Sequence, residues 1–167
     1  MIAATLAAMT MIASTPSLGT AEGRCRSPEP GPAFEVVVTG LKDRSGELRL
    51  ELYPDNDADF LADDNKLLAT GKTFARVVGA PPAAGVVELC IRAPHPGRYA
   101  LMLLHNRNAG RKFDLRTDGV GFAGNPRLSW SKPKAASAAA VAGPGVTRLT
   151  IIPNYWHGLS MRPVEVP

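Results

Sequence analysis

Glu47-Leu48-Arg49-Leu50-Glu51-Leu52 is the stretch that decides the architecture. Charge and leucine alternate there without a break. A helix would spread those leucines around its circumference, whereas a strand sends successive side chains to opposite faces. The run reads as a half-buried strand, with leucines toward a core and charges toward water. Just upstream, Phe34 to Leu41 is apolar and β-branched, and Gly40 marks a turn or bulge near its end. Asp43-Arg44-Ser45-Gly46 between the two runs is turn chemistry, so the pair is expected to form a hairpin.

Further strands follow at Thr73–Val78 and Val86–Arg92. In the second, Val87, Leu89 and Ile91 share one face, and Cys90 lies on the other with Glu88. Tyr99-Ala100-Leu101-Met102-Leu103-Leu104 is apolar on both faces, as a central strand must be. Thr147–Ile152 is another strand, and alanine-rich Ala135–Ala142 reads as a strand or as a helix. Between strands, Asp55 to Leu68 breaks the period. Phe60, Leu61, Leu67 and Leu68 suit a short helix with Asp59 as its cap. Asn106 to Pro133 is polar and rich in Gly and Asn, a long loop of the kind that is usually functional. The tail Pro153–Pro167 is given no element. These elements predict an all-β fold, an antiparallel β-sandwich of about seven strands with transthyretin/immunoglobulin-like architecture and one short helix.

Composition agrees. The chain has 167 residues, with 16 Gly and 15 Pro, which favours turns over long helices. Hydrophobic content of 45% excludes a disordered chain. No apolar run reaches the ~18 residues of a membrane span, so no transmembrane anchor is expected. Met1 to Ala21 carries no charged side chain. Its apolar stretch Ile2–Ser14 is followed by the small residues Gly19-Thr20-Ala21, the pattern of a signal peptide cleaved after Ala21. The expected organisation is a leader over 1–21 and one β-sandwich domain over 22–167, exported to the periplasm or beyond. Cys25 and Cys90 behind such a leader predict one disulfide, a staple contributing about 2–4 kcal/mol.

Pro96-Gly97-Arg98-Tyr99-Ala100 runs on to His105-Asn106-Arg107-Asn108-Ala109-Gly110-Arg111-Lys112-Phe113-Asp114. With the later Gly121-Phe122-Ala123-Gly124-Asn125-Pro126, this resembles a bacterial secreted family catalogued as domain of unknown function 2141. Leu52-Tyr53-Pro54, Phe60-Leu61 and the cysteine pair fit it too. The resemblance spans roughly Cys25 to Tyr155. It implies a small exported β-sandwich with no established activity. The sequence departs from the family at Asn106, where an acid is usual, at Gly110, where Asn is usual, and at Arg107.

The candidate loop site comprises His105, Asn106, Asn108, Asp114, Asp118 and Asn125. Alternating polar residues after a strand resemble a calcium loop. Here Asp114 is the one carboxylate of the series, against Arg107, Arg111 and Lys112, so turn-making is favoured. Asp55-Asn56-Asp57-Ala58-Asp59 alternates as well, but Phe60 replaces the glycine of a calcium hand and Lys66 its bidentate Glu. A divalent-cation-binding module stands as one alternative. Gly119-Val120-Gly121-Phe122-Ala123-Gly124 matches G-x-G-x-x-G, but no helix follows to meet a pyrophosphate. His105 shares strand parity with Tyr99, Leu101 and Leu103. It is expected to pin loop carbonyls or Asp114, with Asp118 as a second candidate partner. A small hydrolase using His105 with Asp114 or Asp118 is the other alternative, although G-x-S-x-G, H-E-x-x-H and the P-loop are absent. Tyr155 and Trp156, beside His157, offer an aromatic surface, unless Trp156 closes the core.

The net charge of +4 favours acidic surroundings. Basic residues cluster from Arg107 to Arg116 with Phe113 as the one aromatic among them, a pattern that is a weak indication of nucleic acid, and no nucleic-acid partner is expected. The reading is an exported, non-enzymatic binding or structural module of the cell envelope. It takes no cofactor or metal and presents loop 106–133 to an anionic envelope component or another envelope protein.

Overall fold

Leu48, Leu50 and Leu52 do face a core, and what they face is a second sheet. In the computed structural model, residues 17–18, 23–110 and 112–164 are described. The strands are β1 (Ser17–Leu18), β2 (Ala33–Val38), β3 (Glu47–Pro54), β4 (Ala75–Gly79), β5 (Val87–Arg92) and β6 (Gly97–Asn106). They continue with β7 (Gly119–Phe122), β8 (Ala139–Ala142), β9 (Val146–Ile151), β10 (Asn154–His157) and β11 (Ser160–Pro163). One helix, α1 (Asp64–Ala69), precedes β4. The leader Met1–Ala21 lies outside the described residues except for β1.

The larger sheet runs β1-β4-β3-β6-β7-β10-β11, with β8 also on β6, and the smaller runs β5-β2-β9. Pairing is antiparallel apart from β1 on β4 and β2 on β9. The sheets pack through Leu50, Leu52, Leu101 and Leu103 on one side and Phe34, Val36 and Ile91 on the other, all fully buried. Burying each such side chain contributes about 1.5–3 kcal/mol. The fold is a β-sandwich.

Several local expectations change. β2 and β3 are not a hairpin: β2 pairs with β5 and β9, while β3 pairs with β4 and β6. The Asp43–Gly46 turn carries the chain between sheets, and turn residues do not distinguish the two outcomes. The span 106–133 is divided by β7. Its glycines weaken the strand signal, yet they are there for packing: a Cβ on Gly119 would sit 2.4 Å from the Tyr155 ring, and one on Gly121 2.6 Å from Ile151. Ala135–Ala142 is both of its readings in turn, a 3-10 turn over Ala135–Ala138 and then β8. The tail forms the β10–β11 hairpin. Asp63, not Asp59, caps α1 by accepting from the Lys66 N–H.

The outer face of the larger sheet is not simply wet. Glu51 is buried there, accepting from the Tyr53 hydroxyl at 2.5 Å and Arg76 Nε at 2.6 Å. A second apolar cluster lies on this face. Tyr53, Phe60, Leu67, Phe74 and Phe122 join α1 and its flanking loop to the sheet, with ring centroids 5.2–5.9 Å apart. Strand β6 is therefore covered on both faces, as its unbroken apolar run requires.

The leader side of the domain is stapled outside the smaller sheet. Cys25 and Cys90 are bonded, with Cα atoms 5.1 Å apart. The Cys90 N–H donates to the Gly23 carbonyl, and Arg92 pairs with Glu29 at 2.7 Å.

Candidate functional site

His105 ends β6 fully buried, at 0% exposure. Its Nε2 lies 2.9 Å from the Ser45 carbonyl and its Nδ1 2.6 Å from the Tyr155 hydroxyl. A carbonyl can only accept, so Nε2 carries the proton and Nδ1 accepts from Tyr155. Burial holds the imidazole below its ordinary value, which keeps it neutral. Burial also pushes the Tyr155 hydroxyl up to about 12, so it stays a donor. That hydroxyl accepts in turn from the Lys42 N–H. Of the expected partners, neither Asp114 nor Asp118 is hydrogen-bonded to the ring, whereas a backbone carbonyl is. The nearest carboxylate, Asp43, is 3.9 Å from Nε2. Arg107 grips Asp43 through Nε at 2.8 Å and a second guanidinium nitrogen, and holds its carboxyl down at about 2. His105 is a bolt between the 43–46 turn and β10, and both its nitrogens are spent on structure.

The other loop residues build the loop. Asn106 is buried; its Oδ1 accepts from Gly110 N–H and its Nδ2 donates to the Gly110 carbonyl and to Glu47. Asn108 also accepts from Gly110 N–H. Buried Asp118 accepts from the backbone N–H groups of Arg107 and Asp114. Asp114 turns back on Arg116 N–H and the Thr117 hydroxyl. Asn125 clips onto the end of β9, accepting from Ile152 N–H and donating to the Thr150 carbonyl. In the acidic turn the carboxylates diverge: Asp55 to Arg98, Asp57 to Lys134 and the Ala135 N–H, Asp59 to Lys72. No point among these residues gathers them around one ion.

Tyr155 is buried, so the expected aromatic surface loses one member and gains another. Trp156 is half-buried and meets Trp130 edge to face, with centroids 5.8 Å apart. Trp130 is 82% exposed. Beside this pair the cover on the outer face of the larger sheet thins, leaving Met102 and Val120 partly exposed. A groove of about 390 Å3 opens there. Its floor is Met102 and Leu104 of β6 with Val120 and Phe122 of β7, cross-strand partners on one face. Its walls are Phe113 and Leu115 on one loop and Leu128 on the next. A second hollow of about 190 Å3, lined by Trp130, Trp156 and Leu159, shares Leu115, Leu128 and Met161 with it. Phe113, Leu115, Trp130 and Leu159 are all exposed large apolar side chains. Gathered in one place they make this the candidate interaction site. Sequence reasoning missed Phe113, Leu115, Leu128 and Trp130. The available signal was large apolar residues punctuating an otherwise polar loop.

A hollow of about 500 Å3 beside the disulfide is less distinctive. Its carboxylates, Glu35 and Glu88, are both paired with Arg148.

Residues 36–150 match a family described as an uncharacterized protein conserved in bacteria (DUF2141). The chain belongs to this family. The DUF2141 match starts within β2 and stops just short of the end of β9, so it includes His105, Phe113, Leu128 and Trp130. It ends before Tyr155, Trp156 and the β10–β11 hairpin. No curated protein and no solved structure matches the chain.

Proposed function

We propose that this DUF2141 chain is an exported, non-enzymatic binding module of the bacterial cell envelope, and that it recognises its ligand in the apolar groove. The observation carrying this is the apolar groove on the outer sheet face, walled by two loops and adjoined by the Trp130–Trp156 pair. Concave, mostly apolar sites of about 300–1,000 Å3 are where small ligands bind. The division of labour fits: His105, Asn106, Asp118 and Asn125 fix the loops, and the loops supply the walls. The hydrolase reading lacks its machinery, because the imidazole is enclosed and both candidate acids are engaged elsewhere. The disulfide and the apolar leader support export, since such bonds persist in oxidising compartments.

Two measurements test this. Fractionating bacteria that express the full chain, with N-terminal sequencing of the product, should find a periplasmic or secreted form beginning at Glu22. A cytoplasmic product retaining residues 1–21 overturns export. Replacing 112–117 with a Gly-Ser linker should abolish sedimentation with isolated envelope fractions. Undiminished sedimentation overturns the groove as the recognition surface.

A further inference from the structure

The groove also carries information about what fits it. Resting on the reading that it is the recognition surface, we propose that the groove holds the hydrocarbon chain of a free fatty-acid anion. Its carboxylate would meet a cationic rim at Lys112, Arg116 and Arg127.

The interior excludes most envelope chemistries. The polar side chains of its lining are Tyr53, Ser129, Ser131 and Lys132, and the Tyr53 hydroxyl already donates to Glu51. The two serine hydroxyls lie 3.2 Å apart and bond each other, and Lys132 donates to the Asp57 and Phe60 carbonyls. A glycan or an extended peptide carries polar groups along its whole length. Here it would lose hydration with nothing to replace it. A hydrocarbon chain loses nothing. The two hollows adjoin at Leu115, Leu128 and Met161, an elongated arrangement that suits a long unbranched ligand over a compact one. Met102 and Met161, unbranched and flexible, can follow a chain that bends.

The rim selects the head. Lys112 precedes Phe113, Arg116 follows Leu115 and Arg127 precedes Leu128, so each stands next to a wall residue. All three are exposed, and none has an ion-pair partner among the described residues. The acid between them, Asp114, is turned into the loop toward Arg116 N–H and Thr117. Three exposed cations, each next in sequence to a wall residue, would complement the anionic head of such a chain, and a charge-assisted contact is the strong kind.

The test is titration of the mature chain with dodecanoate below its micelle concentration, followed by tryptophan fluorescence. Dodecan-1-ol, the same chain with a neutral head, is the comparison. Saturable binding of dodecanoate is expected, with the alcohol about tenfold weaker. K112E/R116E/R127E lies on the exposed surface and should fold. It should bring dodecanoate down to the affinity of the alcohol and leave the alcohol unchanged. Leu128→Arg, checked by circular dichroism for the wild-type fold, should abolish both.

Absence of saturable binding overturns the proposal, as does equal affinity for acid and alcohol. A signal with phosphatidylglycerol vesicles but none with free dodecanoate also overturns it and assigns a membrane-docking patch. If dodecanoate fails while the Gly-Ser loop variant still loses envelope sedimentation, the groove remains the recognition surface and the ligand class falls. If that variant sediments normally, both fall.

Discussion

His105 shows how a chemically suggestive residue becomes a structural one. A lone histidine at a strand end beside two acids resembles half of a catalytic pair. Enclosure and two satisfied nitrogens give it a different task, and a pH dependence to match. Its folded pKa lies below the ordinary value, so the unfolded chain takes up the proton first as pH falls. Its contribution is complete above the ordinary value of about 6.5 and is lost as pH drops through it. We predict that the urea midpoint of the wild type falls between about pH 7.5 and about pH 5.5, and that His105→Gln flattens this window. A wild-type midpoint that is level or rises on acidification contradicts the assignment. Asp43 titrates far lower, near 2, and does not confuse the measurement. Gly119 makes a second residue-level claim. Its missing Cβ leaves room for the Tyr155 ring that His105 holds. Gly119→Ala should cost about 1–3 kcal/mol by chemical denaturation, the usual penalty of overpacking. An unchanged midpoint would mean that the ring moves aside freely.

Among the elements, β3 and β6 were the most legible. The strict alternation of Glu47–Leu52 fixes one buried face, and the two-sided apolar run Tyr99–Leu104 demands cover on both. What pattern cannot reveal is which strand is whose neighbour. The turn at 43–46 looks the same whether it closes a hairpin or crosses between sheets. β7 stayed hidden because Gly119 and Gly121 serve close packing at the expense of strand propensity, and β10–β11 because Pro153 and Gly158 look like tail punctuation. The candidate loop site was legible in part. The polar residues were found, yet they proved to be the loop's own fastenings, because Asn and Asp serve turns and ligands with the same atoms. The groove was not legible, since it exists only where loops far apart in sequence meet one sheet face. The disulfide was readable from count and context. Replacing Cys25 and Cys90 together with Ser should lower stability by about 2–4 kcal/mol, since the bond closes a long loop across 65 residues. A reduced or doubly substituted chain that unfolds at the wild-type denaturant concentration would contradict that role.

The molecule as a whole is a sheet with two faces to cover, and among the described residues the second is covered less fully than the first. The smaller sheet covers the inner face over Leu48, Leu50, Leu52, Leu101 and Leu103. On the other, α1 and the flanking loops cover Tyr53, Phe60 and Phe74, and the cover thins over Met102, Leu104 and Val120. A monomer seldom leaves so concentrated an apolar surface open without a use. Lys112, Arg116 and Arg127, without ion-pair partners among the described residues, each neighbour a wall residue in sequence, and the His105–Tyr155 bolt ties the 43–46 turn to β10. The central claim is that binding happens in this groove and not at the buried histidine. Amide chemical shifts of the mature chain during dodecanoate addition test it most directly. Saturable shifts should gather at Met102, Leu104, Phe113, Leu115, Val120 and Leu128, with the Trp130 and Trp156 indoles following. Shifts centred on His105, Tyr155 and Asp118 with a silent groove, or no saturable shifts at all, would contradict it.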